Sequence, residues 1–178
     1  MEVEVKFRVT DLEELERRIS ALAEFVVEKI EDDVYFNHPC RNFAETDEAL
    51  RIRRDSDGVT LTYKGSKIDP ETKTRDEVKL KIDDFEKMKE ILTKLGFRVS
   101  GRVVKKRRIY RDDEVTICID WLEGLGNFVE IEIESEDVEG AKKKIFEYTE
   151  MLGLEREKSI RKSYLEMILD VADNNGEG

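Results

Sequence analysis

Along several stretches of this chain, charged side chains of both signs alternate with apolar ones. Glu2, Glu4, Lys6 and Arg8 alternate with Val3, Val5, Phe7 and Val9, and Glu130, Glu132 and Glu134 with Val129, Ile131 and Ile133. In an extended strand, residues two apart share a face, so each stretch presents one apolar and one charged face. The charged faces together offer Lys6, Arg51, Arg53, Lys64, Arg75, Lys79, Lys105 and Arg107 as cations. Such a set suits a polyanion such as a triphosphate, through charge-assisted hydrogen bonds each worth about 1.5–3 kcal/mol. Carboxylates on the same face would repel that anion unless a cation lay between them. Oxygen-only ligands point to Mg²⁺ or Mn²⁺ for that role.

Other chemistries lack their residues. His38 is the only histidine, which removes His-based triads and metal clusters. Cys40 and Cys118 lie far apart, without zinc or disulfide-framework spacing, and read as reduced structural thiols. The formal net charge of −11, from 43 acidic and 32 basic residues, disfavours nucleic acid and anionic membrane as partners. No apolar run approaches the roughly 20 residues of a membrane span, and nothing resembles a signal peptide. The expected location is cytoplasmic.

The elements that must position these residues are duplicated. Glu4-Val5-Lys6-Phe7-Arg8-Val9-Thr10-Asp11-Leu12-Glu13 lines up with Glu77-Val78-Lys79-Leu80-Lys81-Ile82-Asp83-Asp84-Phe85-Glu86, with half the positions identical. Each copy predicts a strand followed by a helix, entered through the capping-box patterns Thr10-x-x-Glu13 and Asp83-x-x-Glu86. Leu12, Leu15, Ile19 and Leu22 share one face of the first helix; Phe85, Met88, Leu92 and Leu95 repeat this in the second, which Gly96 ends. Strands are expected at 25–36, 49–54 and 59–64, then at 97–110, 115–121 and 128–134. Each half is therefore β-α-β-β-β. Residues 65–74 form a turn-rich connection containing Pro70, and 55–58 and 123–127 read as hairpin loops. Helices are expected at 138–151 and 158–169. The domain should span 1–170, with a disordered tail at 171–178.

Two architectures fit this alternation. In one, a half-open antiparallel sheet turns its charged face to water and packs its apolar face on the helices. In the other, eight strands close into a barrel with the helices outside, so that the charged face becomes the interior. A charged interior is costly for stability alone, and a ligand explains it better.

Glu2-x-Glu4-x-Lys6 resembles the N-terminal ExExK signature of the CYTH superfamily, the triphosphate tunnel metalloenzymes. Asp33-Val34-Tyr35-Phe36, Leu50-Arg51-Ile52-Arg53, Leu61-Thr62-Tyr63-Lys64-Gly65, Arg75-x-Glu77, Lys105-x-Arg107, Asp120 and the 126–132 run follow in the family's order, with Ser163-Tyr164 near the end. The resemblance implies an α+β fold, a closed eight-stranded antiparallel tunnel with helices packed outside. It also implies Glu2, Glu4, Glu130 and Glu132 as metal ligands. Lys6, Arg51, Arg53, Lys64, Arg75, Lys105 and Arg107 would be triphosphate ligands, and Asp120, with Lys6 and Arg107, would lie at the reacting group. Arg8, Lys79, Lys81 and Glu134 read as rim charges, Cys118 as a packing residue, Tyr110 and Trp121 as core or rim aromatics, and His38 as a loop residue.

The implied chemistry is Mg²⁺- or Mn²⁺-dependent work on a small-molecule triphosphate. The length, the 33–36 segment and the Leu125-Gly126-x-Phe128 loop resemble class IV adenylyl cyclases, which convert ATP to cyclic AMP and pyrophosphate. Hydrolysis of inorganic, nucleoside or thiamine triphosphate is the alternative, and a non-catalytic polyphosphate-binding module the third. Apolar strand faces leave a homodimer open.

Overall fold

The computed structural model describes residues 1–176. Eight strands are present: β1 (Glu2–Arg8), β2 (Glu24–Asn37), β3 (Ala49–Asp55), β4 (Gly58–Lys64), β5 (Glu77–Ile82), β6 (Arg98–Asp112), β7 (Val115–Leu122) and β8 (Gly126–Glu134). The helices are α1 (Leu12–Leu22), α2 (Phe43–Thr46), α3 (Phe85–Lys94), α4 (Val138–Met151) and α5 (Tyr164–Gly176), with a 3₁₀ turn at Arg156–Lys158. The doubled β-α-β-β-β layout is therefore present, interrupted only by the short α2, whose signal, an Asn42 cap before four residues, is too brief for periodicity.

The strands form one antiparallel sheet in the order β1-β8-β7-β6-β2-β3-β4-β5. The expected closed barrel is not what this order describes. It has two ends, and among the described residues no ladder joins β5 to β1; β1 instead makes the isolated bridge Glu2–Arg75. Residues 1–29, 68–75 and 105–162 form one compact unit, and residues 30–67, 76–104 and the described residues from 163 form another. Strands β2 and β6 contribute to both.

In the first unit β1 pairs with β8, β8 with β7 and β7 with β6. The apolar residues Val3, Val5 and Phe7 join Ile117, Ile131, Ile133 and, from α1 and α4, Leu15, Ile19 and Ile145 in one core. In the second unit β2, β3, β4 and β5 pair in succession. Their core is smaller: Val34, Phe36 and Ile52 against Phe85 and Leu92 of α3.

Three local expectations need correction. The first helix is capped by Asp11, whose carboxylate accepts from Glu14 N, and α3 by Asp84, which accepts from Lys87 N; each cap lies one residue beyond the capping-box assignment. Both Thr10-Asp11 and Asp83-Asp84 offer two good caps in succession, so composition alone leaves the register open. The last helix starts at Tyr164 rather than 158, the preceding stretch being used by the 3₁₀ turn. It continues through Gly176, so 171–176 are helical where a disordered tail was expected; residues 177 and 178 lie outside the described residues. Gly96 ends α3 at a φ of 94°, as its position predicts. Among the described residues no helix is long and apolar enough to cross a membrane.

The cap assignment is testable by chemical denaturation. Asp11→Ala should cost about 1 kcal/mol, whereas Thr10→Ala should leave the midpoint almost unchanged.

Candidate functional site

The charged face of β1 is buried as deeply as its apolar face. Glu2, Glu4 and Lys6 are 8%, 4% and 1% exposed. Cross-strand register places Glu132 opposite Glu4 and Glu130 opposite Lys6, with Asp120 opposite Arg107 on the next pair of strands. Strand pairing thus gathers residues distant in sequence onto one patch of the first unit.

Two arrangements share this patch. In the first, Arg107 donates from Nε and Nη2 to the two oxygens of Asp120 at 2.6 Å each, and from Nη2 to Glu130 at 2.6 Å. Lys6 lies 3.3 Å from Glu130 and donates to the Lys162 carbonyl at 3.1 Å. In the second, Glu2, Glu4 and Glu132 each bring a carboxylate oxygen to within 4.8 Å of the others. Lys73 Nζ donates to Glu4 at 2.6 Å.

The electrostatics differ accordingly. Burial would raise the Glu130 carboxyl, but Arg107, Lys6 and Lys73 hold it well below the usual carboxylate range. Burial and the neighbouring Glu2, Glu4 and Glu130 charges push Glu132 up to about 8, against the pull of Arg107. Burial, aided by Lys73, lowers Lys6 to about 7 in spite of Glu130 and Glu4. Three crowded carboxylates with no histidine or cysteine among them fit a hard divalent cation such as Mg²⁺ or Mn²⁺.

Of the four expected metal ligands, the fold therefore groups Glu2, Glu4 and Glu132, while Glu130 is engaged by cations. Asp120, fully buried, is the partner of Arg107. Lys105 and Arg75 are also buried in this unit, at 4% and 7% exposed. The remaining expected phosphate ligands lie in the second unit. There Arg53 forms a two-pronged pair with Asp33 at 2.7 and 2.8 Å and a further one with Glu31 at 2.9 Å. Arg51 lies 3.9 Å from Asp33, and Lys64 lies 3.4 Å from Glu77.

Lys73 is the residue that sequence reasoning missed. It sits in the connection read only as turn-rich, outside any alternating strand, yet it is 8% exposed and flanked by the buried Thr72 and Thr74. Its backbone N–H donates to Glu4 O at 2.8 Å, extending the Glu2–Arg75 bridge. The alternation of hydroxyls and cations in Thr72-Lys73-Thr74-Arg75 was the available signal.

The residues read as rim, packing and loop residues take these places. Arg8 is exposed and donates to Leu125 O at 2.7 Å, Lys81 and Glu134 are exposed, and Lys79 pairs with Glu77 at 3.0 Å. Burial pushes the Cys118 thiol well up, away from nucleophilic use. Tyr110 is core, Trp121 half exposed, and His38 packs edge-on against Phe97 in a loop.

The CYTH domain model matches residues 1–164. The chain belongs to the CYTH domain family. A Methanocaldococcus jannaschii protein named "Putative adenylate cyclase MJ0240" is 41% identical over 171 residues, which are 94% of this chain and 98% of that protein. "Adenylate cyclase CyaB" of Aeromonas hydrophila is 32% identical over 140 residues, 76% of this chain and 70% of that protein. Among solved structures, the PH1819 protein of Pyrococcus horikoshii OT3 is similar, with a TM-score of 0.86 and 42% identity, covering 96% of this chain and 99% of that one. In this CYTH chain the buried charged strand faces carry the family's opening signature.

Two shifted groups of the patch, Glu132 and Lys6, make opposite contributions to stability. A carboxyl raised above its ordinary 4.5 stabilises the fold while protonated, and that contribution is lost as pH rises toward about 8. An amine lowered from 10.5 to about 7 penalises the fold below 7, and the penalty is relieved as pH rises toward 10.5. Thermal unfolding of chelator-treated protein should therefore show stability falling between about pH 5 and 7 and recovering between about pH 8 and 10. Glu132→Gln should flatten the first limb and keep the second.

Proposed function

We propose that this protein is a divalent-metal-dependent enzyme acting on a triphosphate, with ATP cyclisation to cyclic AMP and pyrophosphate as its reaction. The observation that carries the reading is the Glu2, Glu4 and Glu132 cluster set beside buried Lys6, Lys73 and Arg107. The pairing of three crowded carboxylates with several buried cations suits a ligand that is itself a metal–polyanion pair. The two relatives named adenylate cyclase support the choice of reaction.

Glu2, Glu4 and Glu132 would hold the ion, with Glu130 at the boundary between ion and cations. A bound Mg²⁺ or Mn²⁺ supplies positive charge to phosphate oxygens and lowers the pKa of the attacking hydroxyl. Arg107 presents its guanidinium to phosphate oxygens from a fixed orientation, because Asp120 grips it through both oxygens. Asp120 thus acts through Arg107. Lys6 neutralises charge on the departing pyrophosphate while its Nζ is steered by Glu130 and the Lys162 carbonyl. Lys105 and Arg75 add buried positive charge to the same unit. In the second unit, Arg51, Arg53 and Lys64 are the phosphate ligands that the family resemblance assigns, held by Asp33, Glu31 and Glu77. The 3′-hydroxyl of ATP attacks the α-phosphorus and gives up its proton to solvent, the bond from that phosphorus to the α–β bridging oxygen breaks, and pyrophosphate leaves.

ATP, thiamine triphosphate and inorganic triphosphate should be assayed in parallel with Mg²⁺ or Mn²⁺, scoring cyclic AMP separately from released phosphate. Cyclic AMP from ATP is the expected product; phosphate alone would replace cyclase with triphosphatase, and binding without turnover would leave a polyphosphate-binding module. Glu4→Ala should abolish turnover with the fold intact. Arg107→Ala and Lys64→Ala should weaken triphosphate binding roughly ten- to a hundredfold. Full activity in the first, or unchanged affinity in both others, would overturn the assignment.

A further inference from the structure

Lys73 has a position that the phosphate-ligand reading of the other cations does not explain. It is the cation on Glu4, a member of the carboxylate cluster, with 2.6 Å between Nζ and Oε1. It is also buried, so it has little water to fall back on when that partner is taken away. Its backbone is fixed: Lys73 N donates to Glu4 O, and Arg75 and Glu2 exchange hydrogen bonds in both directions at 3.1 Å. The four-carbon side chain, by contrast, carries a single point charge with three rotatable donors, able to change partners without moving the main chain.

We infer that Lys73 is an exchangeable counter-ion: it holds Glu4 while no metal is bound, and is handed to the triphosphate when a divalent ion takes that carboxylate. The inference rests on the metal and triphosphate reading above. Like charges a few ångströms apart repel, so a divalent ion at Glu2, Glu4 and Glu132 and the Lys73 ammonium cannot both sit on Glu4 at low cost. A displaced ammonium inside the protein is strongly disfavoured unless it finds a new partner. The nearby acid Glu130 is already engaged by Lys6 at 3.3 Å and Arg107 at 2.6 Å. Phosphate oxygens of the substrate are the anionic partner that arrives with the ion.

The sign of the consequence is distinctive. A site lysine remote from the carboxylates helps the triphosphate and barely affects the metal; an exchangeable one competes with the metal and helps the triphosphate. Each ligand then improves the other's binding through the same residue, and the coupling is reciprocal.

Mn²⁺ binding by EPR and inorganic triphosphate binding by calorimetry, each alone and then together, would test this on the full chain. In Lys73→Met, Mn²⁺ alone should bind more tightly by roughly fivefold or more, triphosphate in the presence of Mn²⁺ more weakly by a similar factor, and the mutual enhancement should shrink. Lys73→Arg, which keeps the charge, should stay near the wild type in Mn²⁺ affinity, and thermal melts of both variants report folding. Mn²⁺ affinity in Lys73→Met that is unchanged or lower, with wild-type binding intact, overturns the exchange and leaves the metal site standing. Wild-type protein that binds no Mn²⁺ overturns the metal reading and the exchange with it.

Discussion

Everything in the first unit depends on the neutralisation of charge on the inward face of β1. That strand is buried on both sides, apolar residues on one and Glu2, Glu4 and Lys6 on the other. Removing such ions from water costs several kcal/mol apiece unless partners replace the lost hydration. The partners come from neighbouring strands and from one loop: Glu130 for Lys6, Lys73 for Glu4, and the Asp120 and Glu130 oxygens for Arg107. The opposite face, packed by Ile19, Ile117, Ile131 and Ile145, offsets the residual cost.

The compensation differs between the two arrangements, and the proposed metal site is the less compensated of them. Asp120, Arg107 and Glu130 form a pre-oriented clamp in which the carboxylates set the guanidinium's direction. Glu2, Glu4 and Glu132 instead crowd like charges together, and burial together with that crowding raises the Glu132 carboxyl. A fold optimised for stability alone would disperse such a cluster. A fold that binds a cation holds it ready, so that the ion relieves repulsion the protein has already accepted.

The second unit repeats the device at smaller scale. Arg53 and Asp33 mirror the two-pronged geometry of Arg107 and Asp120, with Glu31 as the second acid. An arginine steered by a strand-borne aspartate thus occurs in each half, with the strands exchanged: the aspartate is on β2 and the arginine on β3 in one, the arginine on β6 and the aspartate on β7 in the other.

By itself the sequence determined the strand and helix order, because alternation with period two and the apolar faces of α1 and α3 are local properties of consecutive residues. It also determined which side chains share a face, and therefore that Glu2, Glu4 and Lys6 would stand together. Only tertiary structure decided the rest. Cap choice between adjacent Thr10 and Asp11 turned on which side-chain oxygen reaches an N–H. Whether 171–176 continue a helix depended on the start of α5 at Tyr164, beyond the reach of a polar composition. Above all, the division of the acids into a metal-type cluster and cation-bound partners came from strand register, which sets Glu132 opposite Glu4 and Glu130 opposite Lys6. Lys73 entered through a loop that no periodicity governs. Pairing across strands and loop docking are long-range geometry, and a single strand's pattern contains neither.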